Sequence, residues 1–407
     1  MGEQENVASY FESFLDKDSL FKDKKILQSS YTPSNLIHRD EQIKIISQIL
    51  APALRNERSS NLFIYGKTGT GKTACVKFIS NQMIKLSHER NIPLKIFYIN
   101  CKLKRIADTE YRLIAQLARE FGKEIPPTGL PTDEVYNIFI KALEVKEQMI
   151  ILILDEIDQL VAKAGDEIIY NLTRINSDLK NAQISLVGIS NDLSFTNNLD
   201  PRVKSSLSEE EIVFPPYNAI QLQAILKERA NLAFKEKIIS EGVVEKCAAY
   251  AAREHGDARR ALELLRVAGE IAERKNGKKI MLEDIDEAED KIERDRFIDI
   301  VTTQPKQFQA TLYSIFHILS QKTTQNTQIY TGEVYEVYKE ICNKSRLRPL
   351  TQRRVSDIIG EMDMLGLINA KVISHGRFGR TREITISLSS TLKTRIKKIL
   401  EEDLDMS

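Results

Sequence analysis

From Asn61 to Ile79 the chain reads NLFIYGKTGTGKTACVKFI, and few stretches restrict a fold so tightly. A strand-like run (62–65) leads into GKTGTGKT (66–73), which fits G-x-x-x-x-G-K-[ST], and a helical stretch (74–85) follows. Gly66, Gly69 and Gly71 let the backbone N–H groups around Lys67, Thr68 and Thr70 turn inward on an anion. The helix start, with Ala74 in its first turn, adds unpaired donors and the positive end of the dipole. Lys72 is placed to bridge the β- and γ-phosphates of ATP. Thr73 is placed to offer its hydroxyl to Mg²⁺.

Such a cradle needs a carboxylate for the metal shell and a base for water. MIILILDEID (149–158) supplies both. Six apolar residues in a row predict a strand buried on both faces. Its carboxylates fall at the end where parallel α/β sheets bind ligands. Asp155 is expected to hold Mg²⁺ through water, and Glu156 to polarise the attacking water. Asp158 reads as a helix cap or surface charge.

A chain of 407 residues with 42% hydrophobic content has room for two or three cored domains. Cysteines at 75, 101, 247 and 342 have no C-x-x-C or metal spacing, which predicts a reducing, cytoplasmic setting. No apolar run approaches a membrane span, and no membrane partner is expected. The first residues lack the basic and apolar regions of a signal peptide. Net charge is +1, yet residues 341–382 hold nine basic and three acidic side chains, +6 in all. That asymmetry predicts a local polyanion-binding surface.

Strands are expected at 62–65, 95–100, 149–154, 184–190 and 211–214, alternating with helices as in a three-layer parallel sheet. Pro215-Pro216 ends this pattern; 218–300 reads as helices, and Pro305 marks a second boundary. The expected division is an N-terminal arm (1–30), open to being mobile, a nucleotide-binding core (31–216), a helical lid (217–304) and a C-terminal domain (305–407). In the last, three short helices precede strand-like runs at 367–373 and 382–388, which flank the basic tip SHGRFGRT (374–381).

Core plus lid resembles the AAA+ ATPases. The three-part order resembles the archaeal replication initiators related to origin recognition complex subunit one and the cell-division-cycle loader, across roughly residues 32–388. The fold implied is α/β: an AAA+ P-loop three-layer parallel sheet with a helical lid domain and a C-terminal winged-helix domain. In that family YTPSNLIHR (31–39), with Leu36, Ile37 and Arg39, corresponds to the segment around adenine. LVGISN (186–191) resembles sensor 1, with Asn191 orienting water. LDPRVKSS (199–206) resembles the arginine-finger segment, with Arg202 offered to a neighbour's ATP. GDARRAL (256–262) resembles sensor 2, with Arg259 reaching the nucleotide and Arg260 a competing assignment. Tyr217 and Arg229 match lid positions that touch the nucleotide. IPPTGLPTDE (125–134), with Thr128 and Gly129, resembles the initiator-specific insertion that touches DNA.

In the C-terminal domain TQRRVSDIIGEM (351–362) predicts an amphipathic helix with Val355, Ile358, Ile359 and Met362 inward. Its start presents Thr351, Gln352, Arg353 and Arg354 to phosphates or base edges. The tip, with Arg377, Phe378, Gly379 and Arg380, suits a minor groove. The resemblance implies an origin-binding initiator switched by ATP and ADP. Its implied partners are double-stranded origin DNA, identical or paralogous subunits, and a replicative helicase; its implied place is the nucleoid. Two alternatives stay open: an AAA+ motor such as a branch-migration helicase, and a winged-helix signalling ATPase.

Overall fold

The computed structural model describes residues 11, 18–29, 31–33, 35–102, 109–126, 128–207, 209–321, 329–374, 380–386 and 390–406. They form two compact units, Met1–Asp286 and Glu287–Ser407. In the first, β1 (Leu62–Tyr65), β2 (Leu94–Asn100), β3 (Gln148–Asp155), β4 (Ala182–Ser190) and β5 (Glu210–Val213) form one parallel sheet, ordered β2-β3-β4-β1-β5. Between and around them run α1 (Asp40–Leu50), α2 (Lys72–Arg90), α3 (Glu110–Glu120), α4 (Thr132–Leu143), α5 (Ile157–Ala164), α6 (Glu167–Arg174) and α7 (Pro201–Leu207).

Successive strand residues face opposite sides, and here both sides are covered. Phe63, Ile150, Leu152, Leu154, Ile184 and Leu186 pack with Leu113, Val135 and Phe139 of α3 and α4. Leu62, Ile64, Met149, Ile151, Ile153, Val187 and Ile189 pack the other way, with Ile46 of α1 and Val76 and Ile79 of α2. Hence β3 is buried at every position, as its unbroken apolar run predicts. Register brings the carboxyl ends level: Tyr65 lies opposite Ser190, and Asn100 opposite Asp155.

The lid helices α8 (Ala219–Ala233), α9 (Val243–Arg253) and α10 (Ala258–Arg274) follow. Asn218 and Gln221 form a reciprocal capping box at the start of α8, and Asp257 caps α10 through the N–H groups of Arg259 and Arg260. The all-helical expectation for 218–300 needs two amendments, isolated bridges that run parallel between Ile239 and Ile280 and antiparallel between Phe234 and Phe21. Residues 18–29 differ from the expected mobile arm, because they are docked on the lid. Leu20, Phe21 and Leu27 are buried, and the Phe21 ring lies 4.5 Å from that of Phe234. Glu273 accepts from Ser19 Oγ at 2.5 Å, Leu20 N at 2.9 Å and Lys24 Nζ at 3.0 Å. At Gly269 a Cβ would come within 2.6 Å of the Phe21 ring, so a larger residue there would push the segment off.

The division between the units falls within α11 (Leu282–Thr303). The second unit contains α12 (Lys306–Gln321), β6 (Ile329–Tyr330), α13 (Thr331–Lys344), α14 (Gln352–Met364), β7 (Asn369–Ser374), β8 (Arg380–Thr385) and α15 (Ser390–Asp403). Its antiparallel sheet is ordered β6-β8-β7. Thr351 caps α14, accepting from Arg354 N, and Val355, Ile358, Ile359 and Met362 are the residues it buries. Neither β6 nor α15 was expected from sequence. α15 buries Leu392, Ile396 and Leu400, a four-residue spacing that marks one helix face.

Candidate nucleotide site and nucleic-acid interface

At the carboxyl ends of β1, β3 and β4 opens a cavity of about 340 Å³, closed by the lid. The turn after β1 works because three glycines take backbone angles that side chains resist: φ is 156° at Gly66, 68° at Gly69 and 91° at Gly71. Space is equally restricted, since a Cβ on Gly66 would meet the Phe214 carbonyl oxygen at 2.5 Å. Lys72 is buried and donates to the carbonyls of Gly66 at 2.6 Å and Lys67 at 2.7 Å. Desolvation dominates its environment and lowers its pKa to about 8, against a smaller opposing pull from Asp155. A buried ammonium whose partners among the described residues are loop carbonyls is poised for an anionic ligand, so the donor set fits a polyphosphate.

The metal half fits as well. Thr73 Oγ1 donates to Asp155 Oδ2 at 2.8 Å, and the Glu156 N–H donates to Asp155 Oδ1 at 3.0 Å. Glu156 stands at the N-cap of α5 with a left-handed backbone, φ 56°. Its carboxylate accepts from Asn100 Nδ2 at 3.5 Å and lies 3.8 Å from Lys102 Nζ. Asp158 is neither cap nor free surface charge: it accepts from Ser190 Oγ at 2.8 Å and ties α5 to the end of β4, beside Asn191.

The sequence-predicted residues divide by position. Leu36, Ile37, Gly69, Thr70, Gly71, Lys72, Thr73, Ala74, Asp155, Glu156, Asn191, Tyr217, Arg229 and Arg259 all line the cavity. Gly66, Lys67, Thr68 and Arg39 do not line it. Arg39 is buried and engaged behind the turn. Its Nε donates to Thr70 O at 2.9 Å, Nη2 donates to Pro215 O at 2.6 Å, and the guanidinium lies 3.9 Å from the Tyr217 ring centroid. It braces the phosphate loop from outside the cavity lining. Arg259 lines the cavity, whereas Arg260 is turned to Glu254 at 3.1 Å. Arg229 sits 4.4 Å from the Tyr31 ring centroid, and burial lowers its pKa. Arg202 is exposed on α7 and paired with Asp200 at 3.1 Å.

Residues missed from sequence include Tyr98, whose hydroxyl donates to Asp155 Oδ2 at 2.5 Å, and Asp257. Asp257 accepts from Thr68 Oγ1 at 3.3 Å, while Ala258 N donates to Gly69 O at 3.2 Å, so lid and phosphate loop touch directly. A polar residue directly before a helix start was the available signal for Asp257. Tyr98 gave no local signal.

In the second unit Gln352 and Arg353 line a cleft of about 590 Å³ with Thr331, Ser356 and Arg382. Arg354 is not among the lining residues and lies 3.9 Å from Asp357, which is, and 3.8 Å from Glu361. Thr351 is exposed at the cap. The wing-tip residues Arg377, Phe378 and Gly379 lie outside the described residues, and Arg380 opens β8. Thr128 and Gly129 are exposed on the loop between α3 and α4, which is held by Tyr111 Oη on Pro126 O and Arg119 Nη2 on Ile125 O, both at 2.8 Å. Among the described residues no helix is long and apolar enough to cross a membrane.

Three family models match in chain order: an AAA domain over 55–194, the Cdc6 AAA+ ATPase-type lid domain over 223–290, and the CDC6 C-terminal winged-helix domain over 299–393. The chain is 52% identical to the ORC1-type DNA replication protein of Pyrococcus abyssi, covering 95% of this chain and 92% of that one. It is 49% identical to ORC1-type DNA replication protein 1 of Methanosarcina mazei, covering 98% and 94%.

The chain belongs to the ORC1-type DNA replication proteins.

A solved structure of the ORC1 protein of Aeropyrum pernix, in complex with DNA, superposes with a TM-score of 0.83 at 42% identity, over 95% of this chain and 98% of that one. The ORC1-type fold is thus the AAA+ sheet, lid and winged helix found here, with the acidic end of β3 and the lid arginine on one cavity.

Proposed function

We propose that this ORC1-type chain is an ATP-dependent replication initiator. It binds origin duplex DNA, uses ATP and ADP as a conformational switch, and helps recruit the replicative helicase. One observation carries the reading. Lys72, Thr73, Asp155, Glu156, Asn191 and Arg259 converge on one cavity, in a chain half identical to ORC1-type replication proteins almost end to end.

Bound Mg²⁺–ATP supplies a transferable γ-phosphoryl group and the charge that the site is shaped to read. Lys72 exchanges its two loop carbonyls for phosphate oxygens. Thr73 and Asp155 hold the metal side. Glu156 takes the proton of the attacking water, and Asn191 orients that water. Arg259, on the first turn of α10, carries nucleotide state into the lid. Arg202 is offered in trans to an identical or paralogous subunit, as its exposure on α7 allows. Hydrolysis is slow, as suits a switch.

For DNA, the support is the Aeropyrum pernix relative solved with DNA and the +6 window of this chain. Arg353 reads the major groove, Thr128 and Gly129 add a contact from the core, and Arg377 and Arg380 take phosphates or a narrow minor groove. Fluorescence anisotropy over a salt series tests this. The double variant Arg377→Ala/Arg380→Ala should weaken all duplexes alike and reduce the log–log salt slope by about 0.9 per lost phosphate contact. Arg353→Ala should cost about 1–3 kcal/mol and relax specificity at one base position. Wild-type binding by both variants, to specific and random duplexes at every salt, would make the basic window a protein-docking surface.

A further inference from the structure

The Asp155 carboxylate is held on three sides. Oδ2 accepts from Thr73 Oγ1 at 2.8 Å and from Tyr98 Oη at 2.5 Å, and Oδ1 accepts from the Glu156 N–H at 3.0 Å. An ionised carboxylate has roughly four acceptor positions, so about one remains for anything in the cavity. Two of the donors, Thr73 and the Glu156 N–H, belong to the two motifs themselves. The third comes from the edge strand β2, where Tyr98 pairs with Ile153, two residues before Asp155. Its ring is held in place: Lys77 of α2 lies with Nζ 4.3 Å from the ring centroid. Tyr98 lines the cavity, as Thr73, Asp155 and Glu156 do.

We propose that Tyr98 is a positioning residue for the nucleotide's Mg²⁺: its hydroxyl locks the Asp155 carboxylate so that its one open acceptor position faces the water shell of the ion. Mg²⁺ demands near-octahedral geometry and keeps several waters, so a carboxylate acting through water must hold its angle as well as its charge. Without Tyr98 the Oδ2 atom keeps Thr73 alone and the carboxylate gains freedom about its last torsion. Outer partners of this kind are worth roughly 10–100-fold in metal affinity.

This inference rests on the reading of the cavity as a Mg²⁺–nucleotide site, and one titration separates the two. Binding of a fluorescent ATP analogue is followed against Mg²⁺ concentration for wild type and Tyr98→Phe, with ADP binding in EDTA measured alongside. Tyr98→Phe should move the Mg²⁺ midpoint to about 10-fold higher concentration while ADP affinity in EDTA stays at the wild-type value. An unchanged midpoint overturns the role of Tyr98. So does an equal loss with and without Mg²⁺, which would make the residue a general support of the cavity. Wild type that binds neither nucleotide would overturn the nucleotide-site reading first, and wild-type analogue binding that ignores Mg²⁺ altogether would leave the nucleotide site standing and overturn the metal role on which this inference rests.

Discussion

Lys72 carries the most direct chemistry that a single residue offers here. Its ammonium is buried with, among the described residues, the Gly66 and Lys67 carbonyls as its hydrogen-bond partners, and desolvation holds its pKa at about 8. Phosphate oxygens favour the charged form, so nucleotide binding must raise that pKa. Wild type should therefore take up about half a proton per site at pH 8 on binding ADP in EDTA, and its ADP affinity should fall as pH rises above 8. Calorimetry in buffers of different ionisation enthalpy reads the uptake directly; Lys72→Arg, charged throughout, should show none. Lys72, Thr73, Asp155 and Glu156 were legible because each sits at a fixed offset in a contiguous motif. Arg39 falls in the segment that resembles the family's adenine surround, and its hydrogen bond to Thr70, 31 residues away, has no local signal. Tyr98 and Asp155 are 57 residues apart, and Thr68 and Asp257 are 189 apart. Such pairings follow from the packing of strands and lid, and no local window of sequence contains them.

Among the elements, β3 shows how far pattern reaches. An unbroken apolar run specifies burial on both faces, and alternate residues then supply two separate cores. Ile151 is fully buried, whereas Ile220 on α8 is 75% exposed. Ile151→Ala should destabilise the protein by about 2–5 kcal/mol, and Ile220→Ala by no more than about 0.5 kcal/mol. Urea unfolding followed by circular dichroism separates them; equal midpoints would mean that β3 is not an interior strand buried on both faces. The strands and the helix α14 were readable because their periodicity is local. The two-residue β6 has no period of its own and exists through pairing with β8, Ile329 against Ile384. The docking of 18–29 depends on Gly269, Glu273 and Phe234 of the lid, so a polar-looking start gave no sign of it.

For the whole molecule, a parallel sheet with a phosphate loop, a lid that touches that loop, and a basic winged helix lie in one chain of net charge +1. Their order along the sequence was legible from the two proline boundaries and the change from alternating strands to helices. Which DNA the chain selects was not, because on the proposed reading base readout would fall to a few side chains at the start of α14 and in the wing. The central claim is that this protein marks replication origins. Chromatin immunoprecipitation of the protein from its own organism, mapped beside the copy-number profile of replicating DNA, tests that most directly. A few sharp peaks coinciding with the copy-number maxima are predicted; diffuse signal, or peaks that follow transcription and ignore those maxima, would contradict it.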